Sequence, residues 1–195
     1  RPAIAQFKDI QGHWAVPQIS YWFNKGVVKG YPDGTFAPNH SITRAEFITL
    51  VNKILGFQDK KQVTFEDVSA NDWFYEEISK AAAAGYITGY EDNTIRPDNP
   101  IKREEAAVII SRLVDINTSS DSSAISYFDD AGSISSWAKP GVSKVVGNNL
   151  MIGYPDLTFK PLGYVTRAEA LVALDNVFWL KHPVIITPMG SGLDY

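Results

Sequence analysis

Three spaced tryptophans constrain this 195-residue chain more than any other feature. Trp14, Trp73 and Trp137 are each followed 16 residues later by a glycine, Gly30, Gly89 and Gly153, and then by Tyr31, Tyr90 and Tyr154. Aspartates (Asp33, Asp92, Asp156), threonines (Thr35, Thr94, Thr158) and prolines (Pro38, Pro97, Pro161) follow in step. An arginine stands 30 residues after each tryptophan, Arg44, Arg103 and Arg167, with Glu46, Glu105 and Glu169 two further on. Phe7-Lys8-Asp9, Phe65-Glu66-Asp67 and Phe128-Asp129-Asp130 lie upstream. A fixed internal period of this kind is the mark of a repeat protein. Read this way, repeat one spans 1–57, repeat two 58–118 and repeat three 119–182, with a patternless tail over 183–195. Gly56 to Thr64 and the Ser-rich stretch Asn117 to Tyr127 read as linkers.

Each repeat predicts a helix–loop–helix. The first helix starts after the tryptophan, where Pro17 and Pro140 suit a first turn, and ends at Lys25, Ala84 or Asn148. Gly26, Gly85 and Asn149 follow, residue types that accept the left-handed backbone closing a helix. A loop with turn chemistry comes next, Gly30-Tyr31-Pro32-Asp33-Gly34 in repeat one. Leu157 in repeat three replaces Gly34 and Asn93, so a different turn is expected there. The second helix opens at Thr43, Lys102 or Thr166, and Thr-Arg-Ala-Glu in repeats one and three reads as a capping box. Apolar residues at helical spacing follow, as at Phe47, Leu50, Val51 and Ile54. One such pair is too small to bury its apolar face alone, so the copies are expected to share a hub with pseudo-threefold symmetry in one all-α unit.

Composition narrows the chemistry. The chain is 45% hydrophobic with a formal charge of −4 and no cysteine. A core is affordable, and disulfides, Cys-bound zinc and Cys nucleophiles are excluded. The charge gives no basic face for nucleic acid. No apolar run reaches membrane-spanning length. The opening Arg1-Pro2-Ala3 carries no signal-peptide pattern and reads as a trimmed chain. His13, His40 and His182 do not recur between repeats, and threefold repetition argues against the single asymmetric site a glycosidase needs. Asp33-Gly34-Thr35-Phe36-Ala37-Pro38 lacks the alternating oxygen ligands of a calcium loop, which leaves a dockerin-like calcium module as the alternative reading. No metal and no cofactor are expected.

These motifs resemble the S-layer homology (SLH) domain, from Phe7 to Phe178, and three tandem copies are that family's arrangement. The resemblance implies an all-α three-pronged spindle, an extracellular place in the cell wall or S-layer, and a non-enzymatic role. The implied partner is the secondary cell wall polysaccharide linked to peptidoglycan, often through a pyruvylated amino sugar. S-layer neighbours are a further partner to expect. The implied contacts are the arginine of Thr-Arg-Ala-Glu, matched by Arg44, Arg167 and the altered version around Arg103, and the Gly-Tyr-x-Asp loops.

The residues support this by themselves. A cation at a helix start opposes the dipole, and three in equivalent places point to a compensating anion such as a carboxylate. Asp33, Asp92 and Asp156 suit sugar hydroxyls, and Tyr31, Tyr90, Tyr154 or the tryptophans suit a pyranose face. The plainer readings are that each arginine pairs with a nearby carboxylate, that the tryptophans are core, that the loop aspartates hold turns, and that Glu46 and Glu169 only cap.

Overall fold

The computed structural model describes residues 3–116 and 122–184. Six helices carry the fold: α1 Val16–Asn24, α2 Arg44–Leu55, α3 Tyr75–Ala84, α4 Arg103–Leu113, α5 Lys139–Gly147 and α6 Arg167–Lys181. Two short 3-10 turns, Ser122–Ile125 and Ala131–Ser133, precede α5. The all-α expectation therefore holds, and no strand occurs among the described residues. The predicted tail lies almost wholly outside the described residues, as does the first half of the Asn117 to Tyr127 linker.

Helix ends follow the local chemistry. Gly26 (φ 71°), Gly85 (φ 80°) and Asn149 (φ 54°) all take the left-handed conformation beyond their helices. Thr166 and Glu169 make the full reciprocal box at α6. At α2 only half forms, the Thr43 hydroxyl accepting the Glu46 N–H. At α4 the other half forms, the Lys102 N–H donating to Glu105 Oε1 at 3.1 Å, because an ammonium has no acceptor to offer in return.

The helices do not pair within a repeat. α2 packs on α3, α4 on α5, and α6 returns to α1, so each prong joins the second helix of one copy to the first helix of the next. The ring is visible in the backbone at the hub. The Ile42 N–H donates to the Val165 carbonyl, Ile101 to Ile42 and Val165 to Ile101, at 3.0, 3.1 and 3.0 Å, and all three side chains are buried. Around it, the first N–H groups of α2, α4 and α6 dock on the loop of the following copy. Arg44 and Ala45 donate to Asn99 and Pro97, Arg103 and Glu104 to Gly163 and Pro161, and Arg167 and Ala168 to His40 and Pro38. This places a pseudo-threefold axis through Ile42, Ile101 and Val165.

The loops between helices are alike in all three copies, Leu157 included. Tyr31, Tyr90 and Tyr154 each donate to the carbonyl of the threonine four residues on, at 2.7, 2.8 and 2.8 Å. The expectation of a different third turn is thus corrected: Leu157 adopts φ 60°, matching Asn93 at 58° and Gly34 at 85°. The turn is dictated by its hydrogen bonds, and Leu157 accepts a conformation costing about 1 kcal/mol for a side chain of its kind. Since Leu157 is 54% exposed, Leu157→Asn removes little packing. It is expected to raise the melting temperature by roughly 2–4 °C in a calorimetric scan, and an unchanged or lower value contradicts the strain.

Candidate functional site

Three clefts open at the junctions between copies, and each draws residues from all three repeats. The Trp137 cleft, of about 570 Å³, has Gly89, Tyr90 and Glu105 of repeat two, Arg44 of repeat one and Trp137 of repeat three. The Trp14 cleft, of about 460 Å³, has Gly153, Tyr154 and Glu169 of repeat three, Arg103 of repeat two and Trp14 of repeat one. The Trp73 cleft, of about 190 Å³, has Lys29 and Glu46 of repeat one, Arg167 of repeat three and Trp73 of repeat two. The arginine of each copy thus serves the loop of the next copy, not its own.

The floor of each cleft is an arginine laid against a tyrosine. In the Trp137 cleft Arg44 Nε donates to the Ile95 carbonyl at 2.7 Å and Nη1 to Glu105 Oε2 at 2.8 Å. Its guanidinium lies 4.7 Å from the Tyr90 ring centre, and the Tyr90 hydroxyl also donates to Glu105. In the Trp14 cleft Arg103 repeats this: Nε to Phe159 O at 2.7 Å, Nη1 to Glu169 Oε2 at 2.7 Å and Nη2 to Ile152 O at 2.8 Å. The Tyr154 hydroxyl donates to Glu169 at 2.5 Å. Burial, helped by the hydrogen bond to the glutamate, pushes Tyr90 and Tyr154 up to about 12, so both phenols stay protonated donors at neutral pH.

The Trp73 cleft is looser. Arg167 Nη1 stands 3.6 Å from Glu46 Oε2, a separation too long for a hydrogen bond. Its Nε reaches the Phe36 carbonyl at 3.0 Å, and Tyr31 lies 5.2 Å from the guanidinium without a bond to Glu46. The plain reading that each arginine pairs with a nearby glutamate is right for Arg44 and Arg103, and Glu105 and Glu169 do more than cap. The helix starts are not open anion seats: their first N–H groups are occupied by the docked loop of the next copy.

The tryptophans are not core. Trp14, Trp73 and Trp137 are 59%, 62% and 59% exposed, at the mouths of their clefts. The buried aromatic positions belong instead to residues such as Phe36, Phe47, Tyr86 and Phe159.

Two other sets of predicted residues are committed to the loop itself. Asp33, Asp92 and Asp156 each accept from the N–H and hydroxyl of Thr35, Thr94 and Thr158, which hold all three carboxyls below the usual range. Gly30, Gly89 and Gly153 let the upstream phenylalanines close on the loop. A Cβ there would come within 2.1, 2.8 and 2.2 Å of Phe7, Phe65 and Phe128 respectively. Asp9, Asp67 and Asp130 clamp the same loop by accepting two consecutive backbone N–H groups each. The cation–aromatic stack of Arg96 on Tyr90, at 3.8 Å, and of Lys160 on Tyr154, at 4.3 Å, was not anticipated. The first copy has Ala37 in that place, so the pattern does not recur three times. Among the described residues no cluster of His, Cys, Asp or Glu could hold a metal ion.

Comparison with known proteins settles the relationship. The S-layer homology domain matches residues 6–48, 64–107 and 127–171. The chain belongs to the S-layer homology family. It is similar to a cellulosome-anchoring protein of Acetivibrio thermocellus, 33% identical over 158 residues, which covers 76% of this chain and 34% of that protein. It is also similar to an amylopullulanase of Thermoanaerobacterium thermosulfurigenes, 34% identical over 167 residues, or 84% of this chain and 9% of the enzyme. An S-layer protein of Bacillus licheniformis is 29% identical over 207 residues, 96% of this chain and 23% of that protein. The S-layer homology chain thus spans at most about a third of the length of these relatives. The family makes it an anchoring module of the bacterial cell wall.

Proposed function

We propose that this S-layer homology triplet attaches its parent protein by gripping a pyruvylated amino sugar of the secondary cell wall polymer in the inter-copy clefts. The observation that supports it is the threefold recurrence of an exposed indole facing a guanidinium across a cleft. An indole left open to solvent offers a flat apolar surface to a pyranose ring. The guanidinium opposite offers charge-assisted donors to a carboxylate. In this reading the tyrosines and the Gly-Tyr-x-Asp loops shape the wall against which the sugar lies. The relatives are named as an enzyme, an anchoring protein and an S-layer protein, and they share this segment while differing in total length. A common attachment role accounts for that.

The test is co-sedimentation with purified sacculi before and after acid stripping of the secondary polymer. The chain is expected to pellet with native sacculi only. Trp14, Trp73 and Trp137 are exposed, so replacing them by alanine spares the fold. Each replacement is expected to weaken an occupied cleft by roughly tenfold, about 1.4 kcal/mol. Because several clefts act together on one polymer, the triple variant is the decisive one. Undiminished pelleting of that variant, or equal pelleting on stripped sacculi, contradicts the proposal.

A further inference from the structure

The three clefts share a plan but differ in charge. In the Trp137 cleft Arg44, Arg96 and Arg112 face Glu91, Asp92 and Glu105, three against three. In the Trp14 cleft Arg103 faces Glu169, one against one, and the remaining wall is largely apolar, with Leu150, Met151, Ile152 and Val172. In the Trp73 cleft Lys29, Lys53 and Arg167 face Glu46 alone, three cations to one carboxylate. Between the Trp73 and Trp14 clefts the difference comes from two positions in register. Lys29, Thr88 and Ile152 each stand immediately before the loop glycine, and Lys53, Arg112 and Asn176 each stand nine residues after the helix-start arginine. All six line their clefts.

The geometry of the floor runs the same way. Arg44 and Arg103 are 8% and 3% exposed and hold their glutamates at 2.8 and 2.7 Å. Arg167 is held off at 3.6 Å by a glutamate twice as open as those of the other clefts. Lys29 and Lys53 are exposed and form no ion pair among the described residues. An incoming carboxylate displaces little at Arg167, whereas at Arg44 or Arg103 it must compete with a buried, well-aligned partner.

Resting on the sugar-binding reading above, we infer that the clefts divide the work: the Trp73 cleft is the anion-selective one, with Lys29 and Lys53 as its specificity-determining residues and Arg167 as the available floor cation. The Trp14 cleft, uncharged in sum and lined by aliphatic side chains, takes neutral sugar. The small volume of the Trp73 cleft suits one charged terminal unit and not a run of sugars.

The experiment uses the full chain, a monovalent pyruvylated amino-sugar glycoside and its de-pyruvylated twin, with calorimetry for affinity and the indole N–H resonances for location. The pyruvylated sugar is expected to move the Trp73 resonance first. The double variant Lys29→Ile, Lys53→Asn, which copies the Trp14 cleft, is expected to lower affinity for it at least tenfold and to leave the twin unchanged. The converse Ile152→Lys, Asn176→Lys is expected to give the Trp14 cleft a preference for the charged sugar that it lacks. If the pyruvylated sugar binds but moves Trp137 or Trp14 first, or if the double lysine variant binds it unaltered, the division of work is wrong while the sugar-binding reading stands. If neither sugar binds at any cleft, both fall together.

Discussion

A chain ending at Ile116 is expected to show no cooperative melting transition. In a linear repeat array, loss of the last copy removes one interface and leaves the others intact. Here the copies close on themselves, so removing repeat three opens two prongs at once. α4 loses α5, and α1 loses α6. The second loss is specific. Trp22 Nε1 donates to Asp175 Oδ1 at 2.8 Å, and its indole meets Phe178 edge-on at 5.0 Å, with Tyr21 against Trp179 at 5.7 Å. The hub also loses two of its three ring bonds, since Val165 both donates to Ile101 and accepts from Ile42. What remains is one complete prong, α2 on α3, and two helices, α1 and α4, stripped of the helices they pack against, with Trp22 and the apolar faces that met α5 and α6 turned to water. Burying an aliphatic or aromatic side chain of this size is worth about 1.5–3 kcal/mol. Losing several is therefore comparable to the whole 5–15 kcal/mol that holds a typical domain together. The full chain should unfold in one calorimetric step, and the truncated chain should give a broad, shallow heat signal with a reduced denaturant slope. A sharp two-state melt of the truncated chain would remove ring closure as the source of stability.

The shared hub was legible in the sequence because it follows from size: two helices of 9 to 15 residues each carry too little apolar face to stand alone. The helix boundaries were legible because Gly26, Gly85 and Asn149 are local chemistry. The threading was not. Nothing in the spacing of Trp14, Gly30 and Arg44 tells whether an arginine reaches its own loop or that of the next copy, because all copies carry the same residues. A repeat is invariant under that shift, and only the docking of Arg44 on Asn99 and Ile95 resolves it. The tryptophans were ambiguous for a related reason. A residue that opens a helix at a fixed place serves equally as core or as a cleft wall, and the decision depends on which neighbour covers it.

The same threading determines what the arginines do when removed. Arg103→Ala is expected to cost about 3–5 kcal/mol of folding stability, the range found when one partner of a buried ion pair is deleted. The guanidinium is 3% exposed, and its three bonds satisfy the Phe159 carbonyl, the Ile152 carbonyl and Glu169. It also lies 4.6 and 4.8 Å from the ring centres of Tyr154 and Phe159. Alanine leaves a carboxylate that is largely buried with only Tyr154 and the Thr166 N–H to hold it, and two carbonyls without donors. Arg44→Ala follows the same logic at Ile95 and Glu105, with one carbonyl fewer. Arg167→Ala differs, because its nearest carboxylate is already at 3.6 Å and partly solvated; a loss of about 1 kcal/mol is expected there. Lys102, which stands where the other two copies have a capping Thr, does not alter this order. The altered cap belongs to Glu105 and hence to the cleft of Arg44, whereas Arg103 works in the cleft beyond it. Urea titration of the three alanine variants, with wall binding measured only under conditions where each is folded, separates the effects. Arg103→Ala within about 1 kcal/mol of the parent chain would show that the arginine is not part of the ring's framework. Arg167→Ala with full stability and lost binding to the pyruvylated sugar would leave Arg167 as the arginine whose charge is available to a ligand.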